Sequence, residues 1–423
     1  MRRQLGSRHP IRHLEGARVH PVPFRGPALP RRSLAPRAPR LGALAALLAL
    51  VGLAACAPQG PRGGYARPSA PLVGGGALAE APVTRVAVLL PLSGPQGALG
   101  PAMLNAATLA LFDANLRGVE LMPRDTTGSS GGASEAVRSA IADGARVVVG
   151  PLTGPETTAA AGQARAAGVP VLAFTNDVEQ GGNGVWVTGV TPSQQVRRLL
   201  ASAQAAGVRR IGLAGPEGAF TRQLANALRN ASREAGMAAP VIVTYPAAAS
   251  RPQVAGQVVS QAGTEAVGLM IIGESGAGAR ELAAALAAAG IGAPATRIGG
   301  PTLWAGDAAL AAEPALAGAL VPGPDPAARA SFEGRYQAAF GDRPPRLAAT
   351  AYDATAAALR SVRPGDPTTP AAPPVGEVLQ GADGAFRLLP NGQVQRALAV
   401  YALTPGAEPQ PVEPPVLPGA AGS

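Results

Sequence analysis

From Thr84 onward, short apolar runs alternate with stretches whose apolar residues recur at helical spacing. Arg85–Leu90, Val119–Met122, Arg146–Val149 and Val169–Ala173 read as buried strands. Leu99–Leu116, Ala133–Ala142 and Thr157–Ala167 read as the helices between them. The alternation then restarts. Helices Ser193–Ala206, Ala219–Ala235, Gln253–Ala262 and Ala279–Ala289 precede strands at Arg210–Ala214, Pro240–Tyr245, Ala266–Ile272 and Thr296–Gly299. Strand, helix, strand at these intervals means βαβ units and a parallel sheet. Two such series predict an α/β protein of two lobes around a cleft.

Helices Pro326–Phe340 and Leu347–Val362 follow, then a Pro-rich loop at 363–374. Phe386–Leu389 and Val394–Leu403 flank Asn391-Gly392, which predicts a hairpin with a type I′ turn. The Pro/Gly-rich residues 404–423 read as a disordered tail.

The first 55 residues have a different pattern. Leu41–Ala55 is an uninterrupted apolar run behind an Arg-rich start. As a helix it spans about 22 Å, short of a bilayer core of about 30 Å. A basic start, a short apolar run and small residues at its end describe a signal peptide, 1–55. The run ends Leu53-Ala54-Ala55-Cys56, which resembles the bacterial lipobox, so Cys56 is the expected lipidation site. The Arg-rich region is long for a signal, and a start at a non-Met codon such as Val19 or Val22 is expected. Residues 56–83 read as the lipidated Cys and a Gly/Pro/Ala-rich tether.

Charge and composition narrow the chemistry. Ten of the 36 basic residues and only one of the 26 acids, Glu15, lie in residues 1–40. The remainder is near neutral and has no basic stripe, so nucleic acid is not an expected partner. All three His (His9, His13, His20) lie in the leader, the only Cys is Cys56, and there is no Lys. Imidazole–nucleophile, Schiff-base and P-loop chemistries need those groups. No enzyme activity, metal or cofactor is expected.

In open parallel sheets, ligands meet the loops at the carboxyl ends of the strands. Those loops supply the candidate residues. Ser93 and Gly94 follow the first strand, Thr153 and Gly154 the third, and Thr175 and Asn176 the fourth. Glu274, Ser275 and Thr302 come from the second series. Ser93 reads equally as a turn or cap residue, Glu274 as a solvated loop acid, and Asp125 as a catalytic group or a cap. Trp186 and Trp304 read as core residues near the lobe junction.

The segments VAVLLPLSGPQGALGPAMLNAATLALFD (86–113), VVVGPLTGPETTAAAGQARAAGVPVLAFTND (147–177) and VWVTGVTPSQQVRRLLASAQAAGVRRIGLAGP (185–216) carry a resemblance. The first resembles type I periplasmic binding proteins, the leucine-binding protein-like superfamily. The others are similar to the penicillin-binding protein activator lipoproteins within it. The resemblance covers about residues 84–403. It implies two Rossmann-like lobes with parallel sheets joined by three crossovers. Lobe 1 would be 84–190 plus 306–362, and lobe 2 would be 191–305 plus 375–403. It implies an outer-membrane lipoprotein facing the periplasm that binds and activates a bifunctional penicillin-binding protein. The alternative is a lipid-anchored substrate-binding protein of an ABC importer for amino acids or similar molecules. Amino-acid-binding members hold the ligand carboxylate with a Ser/Thr after the third strand and the ammonium with an acid from the second lobe. Gly154 stands at the first position, beside Thr153, and Thr302 at the second, while Thr175 matches. A buried zwitterion without counter-charges loses several kcal/mol to desolvation, which argues against free branched-chain amino acids. The enterobacterial activators also carry a helical-repeat domain before this fold, where this chain has only a short linker.

Overall fold

The computed structural model describes residues 82–419. The leader and Cys56 lie outside the described residues. Five strands form a parallel sheet in the order β2-β1-β3-β4-β5. They are β1 (Thr84–Leu90), β2 (Val119–Asp125), β3 (Ala145–Val149), β4 (Val171–Ala173) and β5 (Val185–Val187). Alternation along β1 divides two layers. Val86, Val88 and Leu90 face α1 (Gly100–Ala114) and two helices from later in the chain, α9 (Pro326–Phe340) and α10 (Ala348–Ser361). Ala87 and Leu89 face α2 (Ser130–Ala142) and α3 (Gly154–Ala166). Because both faces are covered, β1, β3 and β4 carry few polar residues.

The second sheet has the order β15-β14-β10-β9-β8-β6-β7. Its parallel part comprises β6 (Ile211–Pro216), β7 (Val241–Tyr245), β8 (Leu269–Ile272), β9 (Arg297–Gly299) and β10 (Leu320–Gly323). α4 (Pro192–Ala205) and α5 (Ala219–Glu234) cover one face, and α6 (Arg251–Ala262) and α7 (Gly276–Ala288) the other. β14 (Leu398–Ala402) and β15 (Gln410–Val416) add antiparallel strands at the edge.

Three lobe boundaries differ from the expected ones. Residues 306–323, with the short helix α8 (Ala308–Ala311), belong to the second lobe, because Leu310, Leu316 and Val321 fill its core and β10 joins its sheet. The strands β11 (Leu379–Gly381), β12 (Gly384–Leu388) and β13 (Val394–Arg396) form a small antiparallel sheet. Its Phe386, Leu388 and Val394 pack into the first lobe, not the second. Residues 410–416 are strand rather than disordered tail. The three prolines of QPVEPPV are tolerated because β15 is an edge.

The hairpin forms, but with a three-residue loop. Gly392 N–H donates to Leu389 O at 3.1 Å and Leu389 N–H to Gln393 O at 2.9 Å. Only Gly392 has positive φ, at 79°, as in a type I turn followed by a left-handed residue. A Cβ on Gly392 would lie 1.9 Å from Gly182 N, so the tip packs closely against the first lobe.

The chain crosses between lobes three times, at residues 188–191, at 324–325 and at Ala397. One polar network joins the crossings. Arg396 donates through Nε and Nη2 to Thr188 O at 3.1 and 2.8 Å, and through Nη1 to Asp353 of α10. Asp353 is fully buried and also accepts from Ala382 N–H at 2.6 Å. Asp383 pairs with Arg329 of α9 at 2.6 Å, and its carbonyl accepts from Asp325 N–H at 3.0 Å.

Candidate functional site

Between the lobes lies a cleft of about 560 Å³, within the range of small-ligand sites. Its first-lobe wall is built where β3 and β4 end. Thr153 caps α3 in a reciprocal box. Its hydroxyl donates to Glu156 Oε2 at 2.7 Å and accepts from Glu156 N–H at 3.4 Å, while Thr153 N–H donates to Glu156 Oε2 at 2.9 Å. The hydroxyl is thus committed to the helix terminus. Gly154 follows and presents no side chain to the cleft.

The space beside Gly154 is filled by Asp177. A Cβ on Gly154 would stand 3.1 Å from Asp177 Oδ2. Asp177 follows Thr175 and Asn176 in the loop after β4, and Thr175 Oγ1 accepts from Asp177 N–H at 3.1 Å. The Asp177 carboxylate accepts from Glu179 N–H at 3.1 Å, from Gln180 Nε2 at 3.2 Å, and across the cleft from Gln223 Nε2 of α5 at 2.7 Å. That last bond ties the lobes together directly.

The second-lobe wall comes from the start of α5, with Phe220 and Gln223, and from Pro301, Thr302 and Leu303 after β9. Thr302 N–H donates to Gln195 Oε1 at 2.9 Å, while Thr302 Oγ1 is shielded from solvent and has no hydrogen-bond partner among the described residues. The hinge side is formed by Arg329, Arg346, Leu347 and Asp383. Desolvation, then the neighbouring Arg329, pushes the pKa of Arg346 down.

Thr153, Gly154, Thr175, Asn176 and Thr302 therefore line the cleft, as their positions after strands predict. Ser93, Gly94, Glu274 and Ser275 are not among the lining residues, and the sheet orders explain why. The first-lobe wall uses the β3-β4-β5 half, whereas the loop after β1 leans toward β2. Ser93 Oγ donates to Asp125 Oδ2 at 2.6 Å, and the N–H groups of Leu92, Ser93 and Thr127 donate to Oδ1. Gly94 is closed in by Thr127 O, 2.4 Å from where its Cβ would be. Asp125 is thus a clamp between two loops, and the Ser93 hydroxyl is the largest influence holding its pKa below the ordinary value. Ser93→Ala is expected to lower stability by about 1 kcal/mol and to leave binding in the cleft unchanged. A depressed folded-state pKa stabilises above the unfolded value and loses that effect on acidification. The deficit, measured by urea unfolding, should therefore be larger at pH 7 than at pH 3.

Glu274 is engaged within its own lobe. It accepts from the Tyr245 hydroxyl and pairs with Arg251 at 3.1 Å. Burial, then this carboxylate, raises the Tyr245 pKa. Ser275 precedes α7 without a side-chain cap bond. Among the described residues no group of three His, Cys, Asp or Glu is placed to hold a metal. Sequence reasoning missed Gln195, Gln223, Arg329, Arg346 and Asp383. The two glutamines are ordinary helix residues in sequence, and the other three reach the cleft only through the crossings.

Residues 83–403 match the family described as periplasmic binding protein. The chain belongs to that family. The fold is its type I, leucine-binding protein-like form with two lobes. A putative branched-chain amino acid ABC transporter protein from Rhodospirillum rubrum is similar, at 19% identity and a TM-score of 0.66, covering 78% of this chain and 100% of that one. So is an R. palustris solute-binding protein of an ABC transporter, solved with benzoate, at 19% identity and a TM-score of 0.55 over 81% and 99%. A leucine-binding protein from Thermotoga maritima gives 19% identity and a TM-score of 0.57 over 79% and 99%. At these identities the solved structures bear on fold alone. No curated protein sequence matches the chain.

Proposed function

We propose that this family member is a periplasmic receptor, tethered to lipid through Cys56, that binds a small molecule between its lobes and presents it to an ABC importer. The observation that carries the reading is the cleft itself. It has the size of a small-ligand site, largely apolar walls, and a few polar groups at its two ends. It lies between lobes whose chain connections are three short crossings, about which they can hinge around a ligand. The similar solved proteins named for ABC transporters support the importer as partner. The mechanism is capture, not catalysis. Calorimetry with a panel of amino acids, organic acids and amides should find a micromolar ligand. Small-angle scattering should show the radius of gyration falling with it. A panel with no binder and no compaction would sink the reading.

A specific observation favours a second reading, activation of a bifunctional penicillin-binding protein at the outer membrane. Asp177 occupies the place beside Gly154 and bonds across to Gln223, so the lobes hold together without a bridging solute. A scaffold for a protein partner has use for such a self-closed cleft, and the segments 147–177 and 185–216 resemble the activator lipoproteins. Purified chain added to a peptidoglycan synthase should then raise its polymerisation rate. An unchanged rate at saturating concentration counts against it.

A further inference from the structure

Resting on the receptor reading, we infer that the cleft selects an apolar monocarboxylate lacking an α-ammonium, with the ligand's carboxylate on Arg346. Three observations lead there. The first is Arg346 itself. It lines the cleft, and among the described residues its guanidinium makes no hydrogen bond and has no carboxylate within ion-pair distance. Its neighbour Arg329 is already paired with Asp383, so the hinge end of the cleft holds two guanidinium groups against one carboxylate. A planar carboxylate matches the free fork of donors.

The second observation is at the opposite end. The place where a ligand carboxylate would meet the start of α3 is taken by the Asp177 carboxylate, and the Thr153 hydroxyl is committed to Glu156. An anion there would face a like charge. Asp177 already accepts from the Glu179 N–H, Gln180 and Gln223, which leaves at most one lone-pair site for an ammonium.

The third is the geometry of an α-amino acid, whose two charges sit on one carbon. With its carboxylate on Arg346, its ammonium would lie close to Arg329 and Arg346, and the one nearby carboxylate, Asp383, is already ion-paired with Arg329. Removing the ammonium removes that repulsion and its desolvation cost. The rest of the ligand meets Phe174, Phe220, Leu303 and Leu347, which suit a branched or aromatic carbon body.

The test compares isocaproate, leucine, benzoate and the primary amides of both acids by calorimetry on the full chain. Leucine and isocaproate share a skeleton and differ only in the ammonium. Isocaproate or benzoate should bind at least about tenfold more tightly than leucine and than the matching amide, since a hydrogen bond to a charged group accounts for that much. Arg346→Gln should weaken the acid at least about tenfold and leave the amide unchanged. Arg335→Gln, outside the cleft, controls for general charge. Thermal unfolding of each variant verifies that it is folded. Leucine binding as tightly as isocaproate, or acid binding indifferent to Arg346→Gln, overturns the inference while leaving a receptor. No binding by any of these probes also overturns it, and if the wider panel is silent too the receptor reading falls with it.

Discussion

Arg396→Met is expected to lower stability by about 3–5 kcal/mol at pH 7, the cost of stranding a buried charge. Asp353 has no exposed surface, and its charged partner is Arg396. The same guanidinium also satisfies the Thr188 carbonyl at the first crossing and lies 5.1 Å from the centre of the Phe386 ring. One substitution therefore unpairs a carboxylate, orphans a carbonyl and empties space beside an aromatic ring, all at the hinge. Replacing both partners, Arg396→Met with Asp353→Leu, should recover much of the loss, because the desolvation penalty then disappears with the charges. Urea unfolding of both variants checks this. A single variant within about 1 kcal/mol of the parent would mean the pair is not what holds the crossings together.

The pH dependence follows from the same residue. Burial raises the Asp353 pKa to about 6, with Arg396 opposing the shift. The folded state thus holds a proton that the unfolded chain releases near the ordinary carboxylate range. Between about pH 4 and 6, this group makes stability fall as pH rises. Without Arg396 the folded pKa climbs further. The Arg396→Met deficit should therefore be greatest near neutrality and narrow on acidification.

The parts of the fold legible in sequence are those whose local pattern and tertiary role agree. β1, β3, β6 and β8 are central parallel strands, and their near-continuous apolar runs follow from burial on both faces. β10 was missed because Pro322 and Gly323 argue against strand, while its place is set by pairing with β14, whose residues lie far along the chain. The run Val394–Leu403 reads as one strand, yet it changes sheets at Ala397. No Gly or Pro marks that change anywhere between Val394 and Leu403. β15 is a Pro-bearing edge, where pairing on one side suffices. The same division holds for the site. Thr153, Gly154, Thr175 and Asn176 were found by the general rule about strand ends. Ser93 obeyed that rule and was claimed by Asp125, and Glu274 by Tyr245 and Arg251. Arg346 reaches the cleft from the loop before α10, and Asp383 from the one between β11 and β12. Only the return of the chain after the second lobe brings them there.

Trp304→Ala is expected to be nearly as damaging, at about 3–5 kcal/mol, through the large cavity it leaves. Its side chain is fully buried in the second-lobe core, and Nε1 donates to Glu274 O at 2.8 Å. Gly300 makes this packing possible, since a Cβ there would come within 2.3 Å of the indole. The same short helical turn, Thr302–Gly306, carries Thr302 and Leu303 into the cleft wall. Trp304 N–H donates to Pro301 O at 3.0 Å, so the anchor and the wall are one rigid piece. Losing the anchor should weaken cleft binding along with stability, in spite of Trp304 itself lying out of a ligand's reach. Trp304→Phe separates the effects. It keeps most of the buried ring, orphans the Glu274 carbonyl at about 1–2 kcal/mol, and should hold the turn well enough to retain binding. If Trp304→Ala unfolds at the parent's urea midpoint, the turn is fixed by something other than the indole, and the link from core to cleft fails.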